Sequence, residues 1–155
     1  KKLTVLENLK VYGRMYLIKN LKDKIDQLVE DLNLKSFLNK RTGELSSGQK
    51  NRVSLAKSLI NDPKILLLDE PTASLDPDTG DYVRSYLEKY KQENDISILL
   101  ASHNMDEVTR LSDDVLMMKD GQIIDHGKAK ELIDKHGRDT LEQVFLKLVR
   151  EKNEH

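Results

Sequence analysis

Apolar residues recur at helical spacing through roughly the first sixty positions and then gather into short unbroken runs, so the chain reads as helices followed by alternating strands and helices. Thr4-x-x-Glu7 has the form of a capping box, with Val5, Leu9, Tyr12 and Tyr16 on one face behind it, which predicts a first helix to about Ile18. Ile25, Leu28, Val29 and Leu32 place a second helix that stops near Asn33, a residue type that tolerates a left-handed cap. These two predict an antiparallel helical hairpin. After a polar loop over residues 39–44, a third helix begins at Ser46 and Ser47, carries Val53, Ala56, Leu59 and Ile60 on one side, and ends before Pro63.

From there the period changes. Ile65 to Leu68 is an unbroken apolar run, the form expected of a strand buried on both faces of a parallel sheet. Residues 78–94 follow as a helix with Val83, Tyr86, Leu87 and Tyr90 facing inward, then 96–101 as a second buried strand and 104–111 as a helix. A third strand over 115–118 turns at Asp120-Gly121 into 122–125, and helices over 129–135 and 140–150 close the pattern. No internal repeat or low-complexity segment interrupts it, so the expected division is a helical part, residues 1–62, and an α/β part, residues 63–155.

Composition narrows the choices of partner. Twenty-six basic and twenty-seven acidic residues leave a net charge of -1, which argues against nucleic acid as a partner and against a broad anionic-membrane footprint. The absence of cysteine excludes a disulfide framework and a cysteine metal site. No apolar run approaches the roughly twenty residues needed to cross a bilayer, so direct membrane insertion is not expected and any membrane contact comes through a partner. The chain opens on Lys1, almost directly at a helix cap, and reads as an excerpt from a longer reading frame.

Candidate chemistry lies in two segments about twenty positions apart. Asp69 follows the apolar run immediately and emerges at the carboxyl end of its strand, where open α/β sheets place ligands; a carboxylate there holds Mg²⁺ directly or through water. Glu70 points elsewhere because strand side chains alternate, and is placed to polarise a water. A solvated strand end would explain two acids on their own. Upstream, Leu45-Ser46-Ser47-Gly48-Gln49 opens a helix, where free N–H groups and the positive end of the macrodipole favour an anion; the serines add hydroxyl donors and Gly48 permits close approach. An ordinary serine N-cap would account for part of that string.

His103 follows the second strand and Ser102; a lone histidine there is more often surface or satisfied core than catalytic, and His126, His136 and His155 keep that plain reading. Asp76, ahead of Pro77, has the form of a helix N-cap with proline at the first helical position. Tyr82, Tyr86 and Tyr90 at helical spacing read as packing along one helix face. Gly121 to Ala129 imitates a phosphate loop, but five residues stand where four are required and Ala129 has no hydroxyl for Mg²⁺, so it is rejected.

Taken in order, these motifs resemble the C-terminal portion of an ABC transporter nucleotide-binding subunit. Residues 45–49 resemble the family's signature motif, with Ser47 where glycine is commonest; residues 65–70 resemble Walker B; Ser74-Leu75-Asp76 resembles the D-loop; and His103 resembles the switch histidine. No Gly-x-x-x-x-Gly-Lys-Ser/Thr phosphate loop occurs among the 155 residues, and the glutamine of the Q-loop is absent. The resemblance therefore implies an incomplete P-loop NTPase core, with parallel strands flanked by helices, plus an N-terminal helical subdomain.

The same resemblance implies roles. Glu70 and His103 would be catalytic, Asp69 would hold Mg²⁺ through water, and Ser46, Ser47, Gly48 and Gln49 would meet the ATP of a second subunit, with Ser74, Leu75 and Asp76 at the dimer interface. The implied partners are that second ATPase subunit, identical or not, and a transmembrane permease, which place the protein in the cytoplasm on the inner face of the cell membrane. The closing residues 140–148 resemble the tail of exporter-type subunits. The missing phosphate-loop strand would lie between the strands at 96–101 and 115–118, and without it the chain alone is expected neither to bind ATP tightly nor to hydrolyse it. Two rival expectations stand beside this one: a naturally truncated, non-catalytic module that pairs with a complete subunit, and a chromosome-maintenance ATPase, disfavoured by the short helices and near-neutral charge.

Overall fold

Hydrogen bonding at helix ends sets most of the element boundaries. In the computed structural model, which describes residues 2–151, the helices α1 (Val5–Met15), α2 (Leu21–Asp31) and α3 (Ser47–Leu59) come first. Strand β1 (Ile65–Asp69), helix α4 (Pro77–Glu93) and strand β2 (Ser97–Ala101) follow, then α5 (Met105–Leu111), β3 (Val115–Lys119), β4 (Gln122–Gly127), α6 (Ala129–His136) and α7 (Leu141–Glu151). His155 lies outside the described residues. The chain forms two compact units, residues 1–101 and 102–155. The division expected near residue 62 is one of element type, whereas packing groups β1, α4 and β2 with the helices before them.

In the first unit the Thr4 capping box is fully made: the Glu7 amide donates to Thr4 Oγ1 at 3.2 Å and the Thr4 amide to Glu7 Oε2 at 2.8 Å. The helix stops at Met15, three residues before the expected end. The Leu17 and Ile18 amides bond back to the Arg14 and Gly13 carbonyls, a closure that turns Leu17 left-handed, with φ 56°. Asn33 closes α2 in the same way, with φ 49° and the Leu34 amide on the Val29 carbonyl. Helix α1 packs on α2 and α3. Val5, Leu9, Leu28, Leu32, Phe37 and Leu59 form the centre of that core. Two 3-10 turns, Lys35–Phe37 and Thr42–Glu44, shape the connection that was expected to be loop.

Strands β1 and β2 pair in parallel, Leu67 opposite Leu99 and Asp69 opposite Ala101. Their burial corrects the expectation of a two-sided strand. Leu66 and Leu68 are covered, but Ile65 is 68% exposed, Leu67 69% and Leu99 64%. The apolar run encodes a strand, but two-sided burial needs a second layer, and none of the described residues supplies one. On α4, Asp76 is the N-cap and Pro77 the first helical residue. Tyr90 is buried and its ring stacks at a tilt against Tyr86, centroids 5.9 Å apart, while Tyr82 faces solvent.

The second unit is built on an antiparallel hairpin. Asp120 and Gly121 both have positive φ, 51° and 73°, the geometry of the two-residue turn expected there, and a bulge between Met117 and Met118 shifts the register. Val115 and Met117 turn inward against Val108, Leu132, Leu141 and Val144. Leu116, Met118 and Ile123 face out. Strands β1–β2 and β3–β4 are two separate two-stranded sheets. No helix among the described residues is long and apolar enough to cross a membrane.

Candidate functional site

The amino end of α3 is built by a second complete capping box. Ser46 is the N-cap: its Oγ accepts from the Gln49 amide at 3.2 Å, and Gln49 Oε1 accepts from the Ser46 amide at 3.1 Å. Both side chains are thus drawn into the cap. Ser47 and Gly48, the first two helical residues, have amides without an intrahelical acceptor by construction, pointing out of the helix end where the dipole is positive. Ser46 and Ser47 are exposed, and Leu45, buried behind them, fixes the turn to the core.

The loop after β1 packs directly on this turn. A Cβ placed on Gly48 would meet the Ser74 carbonyl oxygen at 2.8 Å and Leu75 Cδ2 at 3.0 Å, so the space a side chain would occupy is filled by the loop. The loop is held internally by the Ala73 amide on the Glu70 carbonyl, 3.3 Å, and the Leu75 amide on the Thr72 carbonyl, 3.1 Å, with Thr72 buried. It ends at Asp76, whose carboxylate accepts from the Thr79 amide at 3.0 Å. That bond, with further help from Arg52, holds the Asp76 carboxyl below its usual range.

Asp69, the last residue of β1, is exposed on the same strand face as Ile65 and Leu67. Glu70 leaves the strand in a left-handed backbone, φ 48°, while its amide still donates to the Ala101 carbonyl at 2.8 Å. The adjacent acids therefore separate through a backbone turn as well as through strand alternation. No cluster of three or more metal-binding side chains occurs among the described residues. Asp69 alone fits Mg²⁺, which commonly takes one or two carboxylates and completes its shell with water and phosphate oxygens.

His103 belongs to the second unit. It is exposed, in a short loop fixed on both sides: Ser102 Oγ donates to Glu107 Oε2 at 2.6 Å, and the Asn104 amide donates to Ser102 Oγ at 3.1 Å. Asn104 also caps α5 by accepting from the Glu107 amide. Glu107 is buried, and it orders the segment carrying His103. Sequence reasoning passed over it, although Asn104-x-x-Glu107 is a recognisable cap pattern.

Arg52, which with Lys50 follows the 45–49 string in sequence, is held in the fold. From the second turn of α3 its Nη1 donates to the Asn33 carbonyl at 3.0 Å and lies 3.4 Å from that of Leu32, and the guanidinium sits 5.0 Å from the Phe37 ring centroid. Its Nε is buried without a hydrogen-bond partner. Burial lowers its pKa, against the opposing pull of Asp76. The available sequence signal was an arginine on a helix face whose neighbours, Val53 and Ala56, are core residues.

The sequence model of the family described as ABC transporter matches residues 1–73. The chain is 35% identical over 152 residues to the ABC transporter ATP-binding protein NatA of Bacillus subtilis, covering 96% of this chain and 61% of NatA. It is 38% identical to the molybdenum import ATP-binding protein ModC of Methylococcus capsulatus, covering 84% of this chain and 36% of that protein. It is also 38% identical to the Nod factor export ATP-binding protein I of Rhizobium sp., covering 86% and 44%. A solved ATP-binding subunit of an ABC transporter superposes with TM-score 0.83 at 20% identity, covering 95% of this chain and 62% of that one. A dimeric ATP-binding cassette in a post-hydrolysis state, bound to ADP and Pi, superposes with TM-score 0.75 at 26% identity, covering 81% and 56%. The chain spans about three fifths or less of the length of these relatives.

Proposed function

Since the chain belongs to the ABC transporter ATP-binding proteins, with the α/β fold of an incomplete P-loop NTPase core, we propose that it offers its signature segment to the ATP of a second subunit and carries the hydrolytic carboxylate for ATP held by its own subunit, in a pair of sites that drives transport across a membrane. The observation that carries this reading is the contact between the Ser46–Gly48 turn and the Ser74–Leu75 loop, in one unit with Asp69 and Glu70. The amides of Ser47 and Gly48 lie at the helix end beside the exposed Ser47 side chain, as suits a nucleotide held by a second subunit. Ser47 and Gly48 offer N–H donors to a γ-phosphate there.

Asp69 holds Mg²⁺ through water in this scheme. When bound, Mg²⁺ would supply positive charge that offsets the charge of the phosphates. On the ATP held by the phosphate loop of its own subunit, Glu70 would take a proton from the water that attacks the γ-phosphorus as the bond to ADP breaks, and His103 is proposed as a hydrogen-bond donor to that γ-phosphate. The loop from Ser74 to Asp76 meets the second subunit, and a permease at the inner face of the cell membrane receives the resulting motion. Relatives named for import and for export are similarly identical to this chain, so the exporter reading rests on its closing residues 140–148.

The chain has no phosphate loop in its 155 residues, and alone it is expected to show no turnover. Joined in frame behind the phosphate-loop segment of NatA, it is expected to hydrolyse ATP with Mg²⁺. Glu70→Gln should then lower turnover by about a hundredfold or more while ATP binding persists. Turnover indifferent to Glu70→Gln would remove Glu70 from the mechanism.

A further inference from the structure

Gly48 stands at the second position of a helix, where propensity alone favours alanine. What excludes a side chain is backbone: the Ser74 carbonyl lies 2.8 Å from the Cβ position, and a carbonyl cannot swing aside as a side-chain end can. Leu75 Cδ2, at 3.0 Å, closes the same space from another direction. The free amides of Ser47 and Gly48 belong to a different aspect of the turn, at the helix end. Phosphate approach and loop packing are therefore separate demands on the same residue. The loop is fastened a second time at its far end, where Asp76 caps α4 and interacts electrostatically with Arg52 of α3.

We propose that Gly48 is a positioning residue whose missing side chain seats Ser74 and Leu75 on the amino end of α3, making the anion-facing turn and the interface loop one rigid face offered to a second subunit. The inference rests on the proposed shared site for what that face meets. The seating itself is a property of the chain without nucleotide, so it is tested there.

Hydrogen exchange of the nucleotide-free chain reads it at two amides, Ala73 and Leu75, which bond within the loop. Gly48→Ala is expected to make both exchange about tenfold faster or more while the α3 amides beyond Lys50 keep their protection, since only the seat has been lost. Leu75→Ala leaves residue 48 untouched, removes the Cδ2 contact, and is expected to produce a smaller acceleration at Ala73. Ser47→Ala, which alters the anion-facing turn but not the seat, leaves both rates as they were. Unchanged loop exchange in Gly48→Ala together with a raised Tm overturns the proposal and leaves Gly48 with phosphate approach alone. Failure of Ser47→Ala to weaken nucleotide engagement in trans would count against the shared-site reading instead, without touching the seating.

Discussion

Replacing Arg52 by methionine and by alanine separates two contributions that the structure sets against each other. The Nη1 bond to the Asn33 carbonyl at 3.0 Å is a charged-donor hydrogen bond worth about 1.5–3 kcal/mol, while the 3.4 Å approach to Leu32 adds little. The guanidinium 5.0 Å from the Phe37 ring centroid contributes about 0.5–1 kcal/mol more. Against these stands Nε, buried without a partner, at a cost of about 1–3 kcal/mol. The polar contributions nearly cancel, leaving a net of about 1 kcal/mol in favour of arginine. Methionine keeps an apolar stem in place and removes both sides of the balance, so it should cost about 1 kcal/mol. Alanine also loses the packing of the stem and should cost about 2–3 kcal/mol. Urea unfolding with the m-value held common to all three proteins measures both. If methionine costs as much as alanine, or more than about 3 kcal/mol, the charged bonds dominate and the cancellation argued from Nε is wrong.

The remaining predictions concern a carboxylate and a cap. Asp125 accepts from Lys135 Nζ at 2.8 and 2.9 Å and pairs with His136 Nε2 at 2.6 Å, and these bonds, Lys135 first, lower its pKa from 3.8 to about 2. Because the folded value lies below the unfolded one, its stabilisation is complete above about pH 4 and is lost as pH falls from there toward about 2. The shift corresponds to at most about 2 kcal/mol. Lys135 is 60% exposed, and solvent screening reduces the expectation to about 1 kcal/mol. Asp125→Asn should remove that part of the acid dependence of unfolding, and an unaltered pH profile between 2 and 4 would refute the assignment. Ser46→Ala deletes the acceptor for the Gln49 amide and should cost about 1 kcal/mol; thermal unfolding unchanged from the parent would show that the α3 cap carries no stability.

Legibility in the sequence followed the range of the interaction. Thr4 with Glu7, Asp76 with Pro77, and Asp120 with Gly121 are local devices, each decided within a few residues, and the structure makes them as the sequence indicated, whereas the Ser46–Gln49 box, equally local, is read from the sequence only as a serine N-cap. The end of α1 was not legible, because leucine at position 17 gives no sign of a left-handed closure. One-sided burial of Ile65, Leu67 and Leu99 was hidden for another reason: an apolar run reports that a strand is suited to two layers, not that both are present. The candidate site divided in the same way. Residue types and order identified the segments, whereas the Ser74 carbonyl against Gly48 and the burial of Glu107 depend on partners 26 and 5 positions away and are facts of packing.

Backbone strain also bears on the proposed role of Glu70. Among the described residues, five non-glycine positions have positive φ: Leu17, Asn33, Asp62, Glu70 and Asp120. Asn33 and Asp120 are of types that tolerate it, and each sits at a helix end or a hairpin turn; Asp62 follows the end of α3 with its amide on the Leu59 carbonyl; and Leu17 closes α1 through two backbone bonds. Glu70 has none of these reasons. It is a long side chain at the mouth of a strand, in a conformation that costs about 1–2 kcal/mol. Two backbone bonds hold it there, its own amide to Ala101 and the Ala73 amide to its carbonyl. A strand could have ended here in an aspartate, asparagine or glycine at less cost. That a glutamate is held in this backbone, directly after Asp69 and at the start of the loop seated on Gly48, supports the proposed role of Glu70 as a carboxylate held for aim rather than for stability.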